Sequence, residues 1–244
     1  MARSFLIRGM LCGIVAGLLV FAFAKFFGEP NVDGAIGIEE QIAKAAGDAP
    51  EPELVSRALQ ASWGLLTGVM FYALGVGGLF SLAFAFAWGR MGRLSVRASS
   101  VVIAAVGFLT LYLVPNLKYP ANPPSIGNPA TIDYRTGLYF GMMLISIMAM
   151  IAAVNLGKSL VGRFDGWHST LIAGAVYLVV IVIAFAVLPN INEVPTVFPA
   201  ALLWQFRISS LGMQLILWTT LGVLFGDLTE RSLNRQRIGA ARRA

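Results

Sequence analysis

Apolar residues run in six long stretches along the chain, at about 5–27, 59–88, 99–115, 137–156, 170–188 and 208–225. Each is close to the roughly 20 residues a helix needs to cross a bilayer. A helix satisfies its own backbone polar groups inside lipid. The pattern therefore predicts an all-α, polytopic integral membrane protein, with six transmembrane helices arranged as three helical hairpins in one membrane domain over 1–244. The first stretch is read as a retained helix, although its basic start and apolar run imitate a secretory signal.

Between these stretches the polar positions alternate in character. The regions 28–58, 116–136 and 189–207 hold nine of the twelve acidic residues and most of the prolines. The other connections are short and basic, and a basic tail occupies 227–244. Twelve of the eighteen Lys and Arg residues fall on that second side. Positively charged loops stay cytoplasmic, so both termini are expected in the cytoplasm and the acidic regions outside. The net charge of +6 marks topology here rather than a nucleic-acid footprint, although the tail could also meet anionic head groups. Mean hydropathy of +0.76, with 57% hydrophobic residues and 12% charged ones, leaves no room for a soluble domain.

Local signals refine the acidic regions. Asp33 is expected to cap a short helix that ends at Gly47, and Pro52 suits the first turn of the next one. The five prolines around 115–129 predict a rigid extended cover without regular structure. Pro199 is expected to open a helix running through Trp204 into the last span. The three outgoing helices share a Pro-Asn-aliphatic step, at Pro30-Asn31, Pro115-Asn116 and Pro189-Asn190. Each acidic region then closes with one arginine: Arg57, Arg135 or Arg207. Gly64, Gly137, Gly141 and Gly212 mark places for close helix approach, and the GVGG run at 75–78 marks tight packing.

Candidate chemistry is sparse. One histidine, His168, and one cysteine, Cys12, exclude a histidine triad, a thiolate cluster and a disulfide framework. No phosphate-binding GxxxxGK[ST] loop is present. The chain is thus not expected to be an enzyme, nor to hold an organic cofactor. The acids Glu29, Asp33, Glu39 and Glu40 have two readings: a vestibule that concentrates cations, or a solvated acidic loop. Asn116 and Asn190 offer carbonyl oxygens to a cation or amides to freed backbone carbonyls. Arg57, Arg135 and Arg207 are gate or structural groups, and Arg207 is expected to pair with an acid such as Glu193 or Glu39. The methionines Met142, Met143, Met148 and Met150 are packing residues.

The stretches GEPNVDGAIGIEE (28–40), VSRALQASWGLLTG (55–68), LVPNLKYPANPPSIGNPATIDYRTGLY (113–139) and FRISSLGMQLILW (206–218) resemble the CbtA family of predicted cobalt transporter subunits. The resemblance covers nearly the whole chain. It implies a bacterial inner-membrane protein that takes up Co²⁺ for cobalamin synthesis. It also implies a small one-helix partner of the CbtB kind bearing histidines, beside the lipid bilayer itself and with a larger assembly or homo-oligomer open. A non-transporting accessory or scaffold role in a larger membrane complex is the alternative.

Overall fold

In the computed structural model, residues 2–47, 54–92, 94–124 and 126–241 are described. Among them, six helices are long and apolar enough to cross a membrane: Ala2–Ala45, Arg57–Ala87, Val96–Lys118, Pro129–Leu160, Gly166–Val187 and Ala200–Gln236. The expected number of spans is therefore present. Pro52, the acids Asp48, Glu51 and Glu53, and Arg93, Arg242 and Arg243 lie outside the described residues.

The three Pro-Asn steps, each a natural helix stop by its proline, do not behave alike. Two of them do not end their helices. Helix α1 (Ala2–Phe23) passes through a π-helical turn at Ala24–Gly28 and continues as α2 (Glu29–Ala46), with Pro30 in the first turn of α2. Helix α5 (Val96–Gly107) passes through a second π turn, Phe108–Leu113, into α6 (Val114–Lys118), with Pro115 in its first turn. A proline lacks the N–H that would bond four residues back. Widening the preceding turn to π geometry accommodates that gap without breaking the helix. Asp33 therefore sits inside α2 rather than capping it. Gly47 does close α2, in the left-handed conformation at φ 81°. At the third step, α8 (Gly166–Val187) stops before Pro189.

The second span opens with a helical turn, α3 (Arg57–Leu59), and a π turn at Gln60–Gly64 before α4 (Leu65–Ala87). The proline-rich cover contains a short 3₁₀ turn at Pro129–Thr131, which leads directly into α7 (Ile132–Leu160). Helix α9 (Ala200–Ala241) starts just after Pro199, as expected, and takes in the basic tail as far as Ala241. At 42 residues it is about 63 Å long, twice the roughly 30 Å apolar thickness of a bilayer.

The described residues divide into two compact units. One holds the chain up to Phe108 and from Pro199 onward; the other holds Leu109–Asn122 and Ile126–Phe198. In the first unit α1 packs closely on α4. A side chain at Gly9 or Gly77 would collide with the carbonyl of the other, and one at Gly13 would meet the backbone of Ala73. Lipid offers no hydrophobic drive for helix association, so such close backbone approach supplies the van der Waals contact that holds the pair. Cys12 lies fully buried in this seam as a packing residue. Phe5, Phe80, Phe84 and Phe225 interlock edge-to-face at one end. Helix α5 packs on α9, where Ser100 Oγ donates to the Gly222 carbonyl at 2.7 Å.

In the second unit α7 packs on α8 and α6. Met142, Ala149, Ala153, Ala173 and Ile181 form its core, and the hydroxyls of Ser146 and Tyr177 pair at 2.9 Å. Gly137 and Gly141 face open space, whereas Gly212 meets the ring of Phe23.

Candidate functional site

Each unit concentrates polar side chains at the end that carries the acidic connections. In the first unit, Glu29 and Asp33 stand four residues apart on α2 and so share one face. Arg57, at the start of the second span, reaches both. Its Nη2 donates to Glu29 Oε2, and its Nε donates to Asp33 Oδ1 at 2.9 Å. The Glu29 side chain is 11% exposed and that of Asp33 is 59% exposed. Two carboxylates thus flank one guanidinium, and one of them remains open to solvent. Glu40 lies on the same stripe of α2, about 16 Å further along, and Glu39 about a quarter turn off it. Both are exposed and neither belongs to the Arg57 cluster.

The π turns add to this end. Lys25, in the π turn at Ala24–Gly28, donates to the Ala61 carbonyl in the π turn at Gln60–Gly64 at 3.0 Å. Asn31 Nδ2 donates to the Phe27 carbonyl at 2.7 Å and to Ser209 Oγ at 3.1 Å; Ser209 Oγ also donates to the Phe27 carbonyl. Arg207 lies half-buried on α9, two residues before Ser209.

In the second unit the cluster is built by the proline-rich stretch. Asn128 Oδ1 caps the 3₁₀ turn by accepting the Ala130 N–H at 2.9 Å. Glu193 Oε2 accepts the Asn128 N–H at 2.8 Å, and its Oε1 accepts the Thr131 hydroxyl at 2.6 Å. Arg135 Nε lies 3.3 Å from Glu193 Oε2 as an ion pair. Glu193, a suggested partner of Arg207, is thus engaged by Arg135. Gly127 is required beside it: its φ is 112°, and any Cβ there would overlap the Arg135 guanidinium. These donors hold the Glu193 carboxyl below its ordinary range, first through the Thr131 hydroxyl, then through the Asn128 N–H and the charge of Arg135.

Asn116 Oδ1 accepts the Ala121 N–H at 3.1 Å and shapes the start of the cover. Asn190 Oδ1 accepts from Lys118 Nζ at 2.5 Å, and the same ammonium donates to the Phe185 carbonyl at 2.7 Å. Tyr119 Oη donates to the Pro189 carbonyl at 2.9 Å. The structure therefore gathers Glu29, Asp33 and Arg57 in one unit. In the other it joins Arg135 to Glu193 and Asn190 to Lys118. Lys25 and Lys118 were missed in the sequence because a lone lysine at the tail of an apolar helix carries no sign of which backbone carbonyl it reaches. The signal that finds Lys118 is Pro189, whose missing N–H exposes the carbonyl four residues back.

A second polar feature lies between the apolar spans of the first unit. A cleft of about 160 Å³ lies among Val20, Val69, Met213 and Leu217. Gln214 Nε2 donates to Tyr72 Oη at 3.3 Å there, while the buried Gln214 Oε1 has no hydrogen-bond partner.

Six apolar spans with charged and amide groups gathered at their ends define a multi-pass integral membrane protein. Residues 2–230 match the family described as "Probable cobalt transporter subunit (CbtA)", and the chain belongs to that family. It is a family of transporter subunits, so membership implies a multicomponent assembly in the membrane. No curated protein and no solved structure matches the chain. Two stretches that carried the family resemblance, 28–40 and 113–139, supply most of the residues in the two clusters.

Proposed function

We propose that this chain is the membrane-embedded subunit of a bacterial inner-membrane system that takes up Co²⁺ for cobalamin synthesis. Both termini then lie in the cytoplasm and the two polar clusters outside. The observation that carries the reading is the α2 face, where Glu29 and Asp33 flank Arg57 and Asp33 stays exposed. An incoming divalent cation is attracted to the surplus carboxylate and exchanges with the guanidinium. Glu39 and Glu40 extend the negative field along α2, and the asparagine-braced cover of the second unit shapes its own entrance. Arg135 acts as a structural group there, and Arg207 acts as one in the first unit.

Cobalt favours imidazole over oxygen ligands. Among the described residues no three His, Cys, Asp or Glu side chains cluster as a metal site. A small partner helix bearing histidines would supply the missing ligands, and no organic cofactor is required. The rival reading, an accessory scaffold, draws on the internal use of Asn31, Asn116 and Asn190.

Radiocobalt accumulation in cells expressing this chain with its histidine-bearing partner tests the reading. Uptake above that of the partner alone is expected; equal uptake would leave the scaffold reading. Orientation is tested separately with reporters fused at the C-terminus and inserted near residue 122. The first should report cytoplasm and the second the outside.

A further inference from the structure

We propose that the C-terminal end of α8 is a monovalent-cation site, and that the chain fills it permanently with its own Lys118 ammonium. Pro189 creates the site. In a continuing helix the Phe185 carbonyl would accept the N–H of residue 189, which a proline does not have. Helix α8 ends at Val187, and Leu188 N–H bonds back to Ala184, so Phe185 keeps a carbonyl directed past the helix end. The negative end of the helix dipole lies at the same place. Asn190 Oδ1 supplies a second neutral oxygen. Lys118 Nζ sits between them, at 2.7 Å and 2.5 Å. The Tyr119 ring covers the ammonium at 5.8 Å, and its hydroxyl is tied to the Pro189 carbonyl.

Carbonyl oxygens at a helix end, without a carboxylate, suit a singly charged ion. Unwound carbonyls and helix C-termini hold Na⁺ in membrane proteins in this manner. A lysine tethered in that position replaces the ion with a charge that cannot diffuse away. It also ties the exit of the third span to the exit of the fifth.

The test uses the purified full-length chain in detergent, with the variants Lys118→Met and Lys118→Met/Asn190→Leu. Thermal unfolding is followed in NaCl, KCl and N-methylglucamine chloride at equal ionic strength. The wild type should be indifferent to the cation. Lys118→Met should unfold roughly 3–8 °C lower in N-methylglucamine, the scale of losing charge-assisted hydrogen bonds. It should recover saturably with Na⁺ or K⁺, and the better of the two identifies the ion size that fits. The double variant should not recover. If Lys118→Met does not survive extraction, its folded yield in each salt gives the same comparison. The proposal is overturned by a variant as stable as wild type, or by one that no cation restores. Equal recovery in N-methylglucamine, or recovery that survives loss of Asn190, overturns it too.

Discussion

The two units use matching parts at their acidic ends and balance them differently. Each has an arginine on carboxylate and a lysine on a backbone carbonyl: Arg57 and Lys25 in one, Arg135 and Lys118 in the other. Arg57 faces two carboxylates, Arg135 only Glu193. Glu193 is also held by Thr131 and the Asn128 N–H, so its charge is used to order the cover. Asp33 engages Arg57 and remains 59% exposed. The same kinds of residue thus close a loop in one unit and leave a carboxylate exposed beside its arginine in the other. A carboxylate already satisfied by three donors gains little from a passing cation, whereas a surplus one attracts it.

The sharpest way to break this contrast is transport. Glu29→Gln combined with Asp33→Asn is expected to lower radiocobalt uptake at limiting metal by roughly tenfold, because the attracting field is lost. Glu193→Gln is expected to change it by less than about twofold. Equal losses would remove the distinction between the units. Raising the salt concentration should weaken uptake by the wild type and leave the double variant little affected, since mobile ions screen exposed charge.

Stability gives the next largest effect. Arg57→Ala leaves Glu29, 11% exposed, beside Asp33 without its guanidinium. A loss of about 2 kcal/mol is expected, several degrees in Tm. Arg135→Ala removes one of three partners of Glu193 at a solvent-screened site and should lower Tm by less than Arg57→Ala does. Thermal unfolding in detergent checks both; a larger loss for Arg135→Ala would reverse the assignment of surplus charge.

The spans were legible in the sequence because bilayer burial leaves an unambiguous run of apolar residues. The start of α9 after Pro199 and the Gly47 helix end were legible for the same kind of local reason. The continuation through Pro30 and Pro115 was not, since a proline reads as a stop unless the turn before it can widen. Gly77 was visible within GVGG. Its partners Gly9 and Gly13 were not, because the register between two helices is a tertiary fact. Residue types also hid pairings. Arg57, Arg135 and Arg207 look alike in sequence, but Arg57 finds two acids already aligned on one helix face. Arg135 depends on Glu193, 58 positions later, and on Gly127 vacating space.

The smallest effect isolates Glu193 by pH. Its carboxyl ionises below its ordinary range in the folded chain, because the Thr131 hydroxyl, the Asn128 N–H and Arg135 favour the charged form. A carboxyl depressed in this sense binds fewer protons folded than unfolded, so its contribution is fully present above the unfolded value. It is lost as pH falls through the folded value. The Tm difference between wild type and Glu193→Gln should therefore stay constant from neutral pH down to the ordinary glutamate range and close below it. Glu193→Gln retains an acceptor for Thr131 and loses the charge, so what closes is the part due to ionisation. A difference that persists unchanged into acid would show that the cover is held by shape alone, and the contrast with the Asp33 end would lose its electrostatic basis.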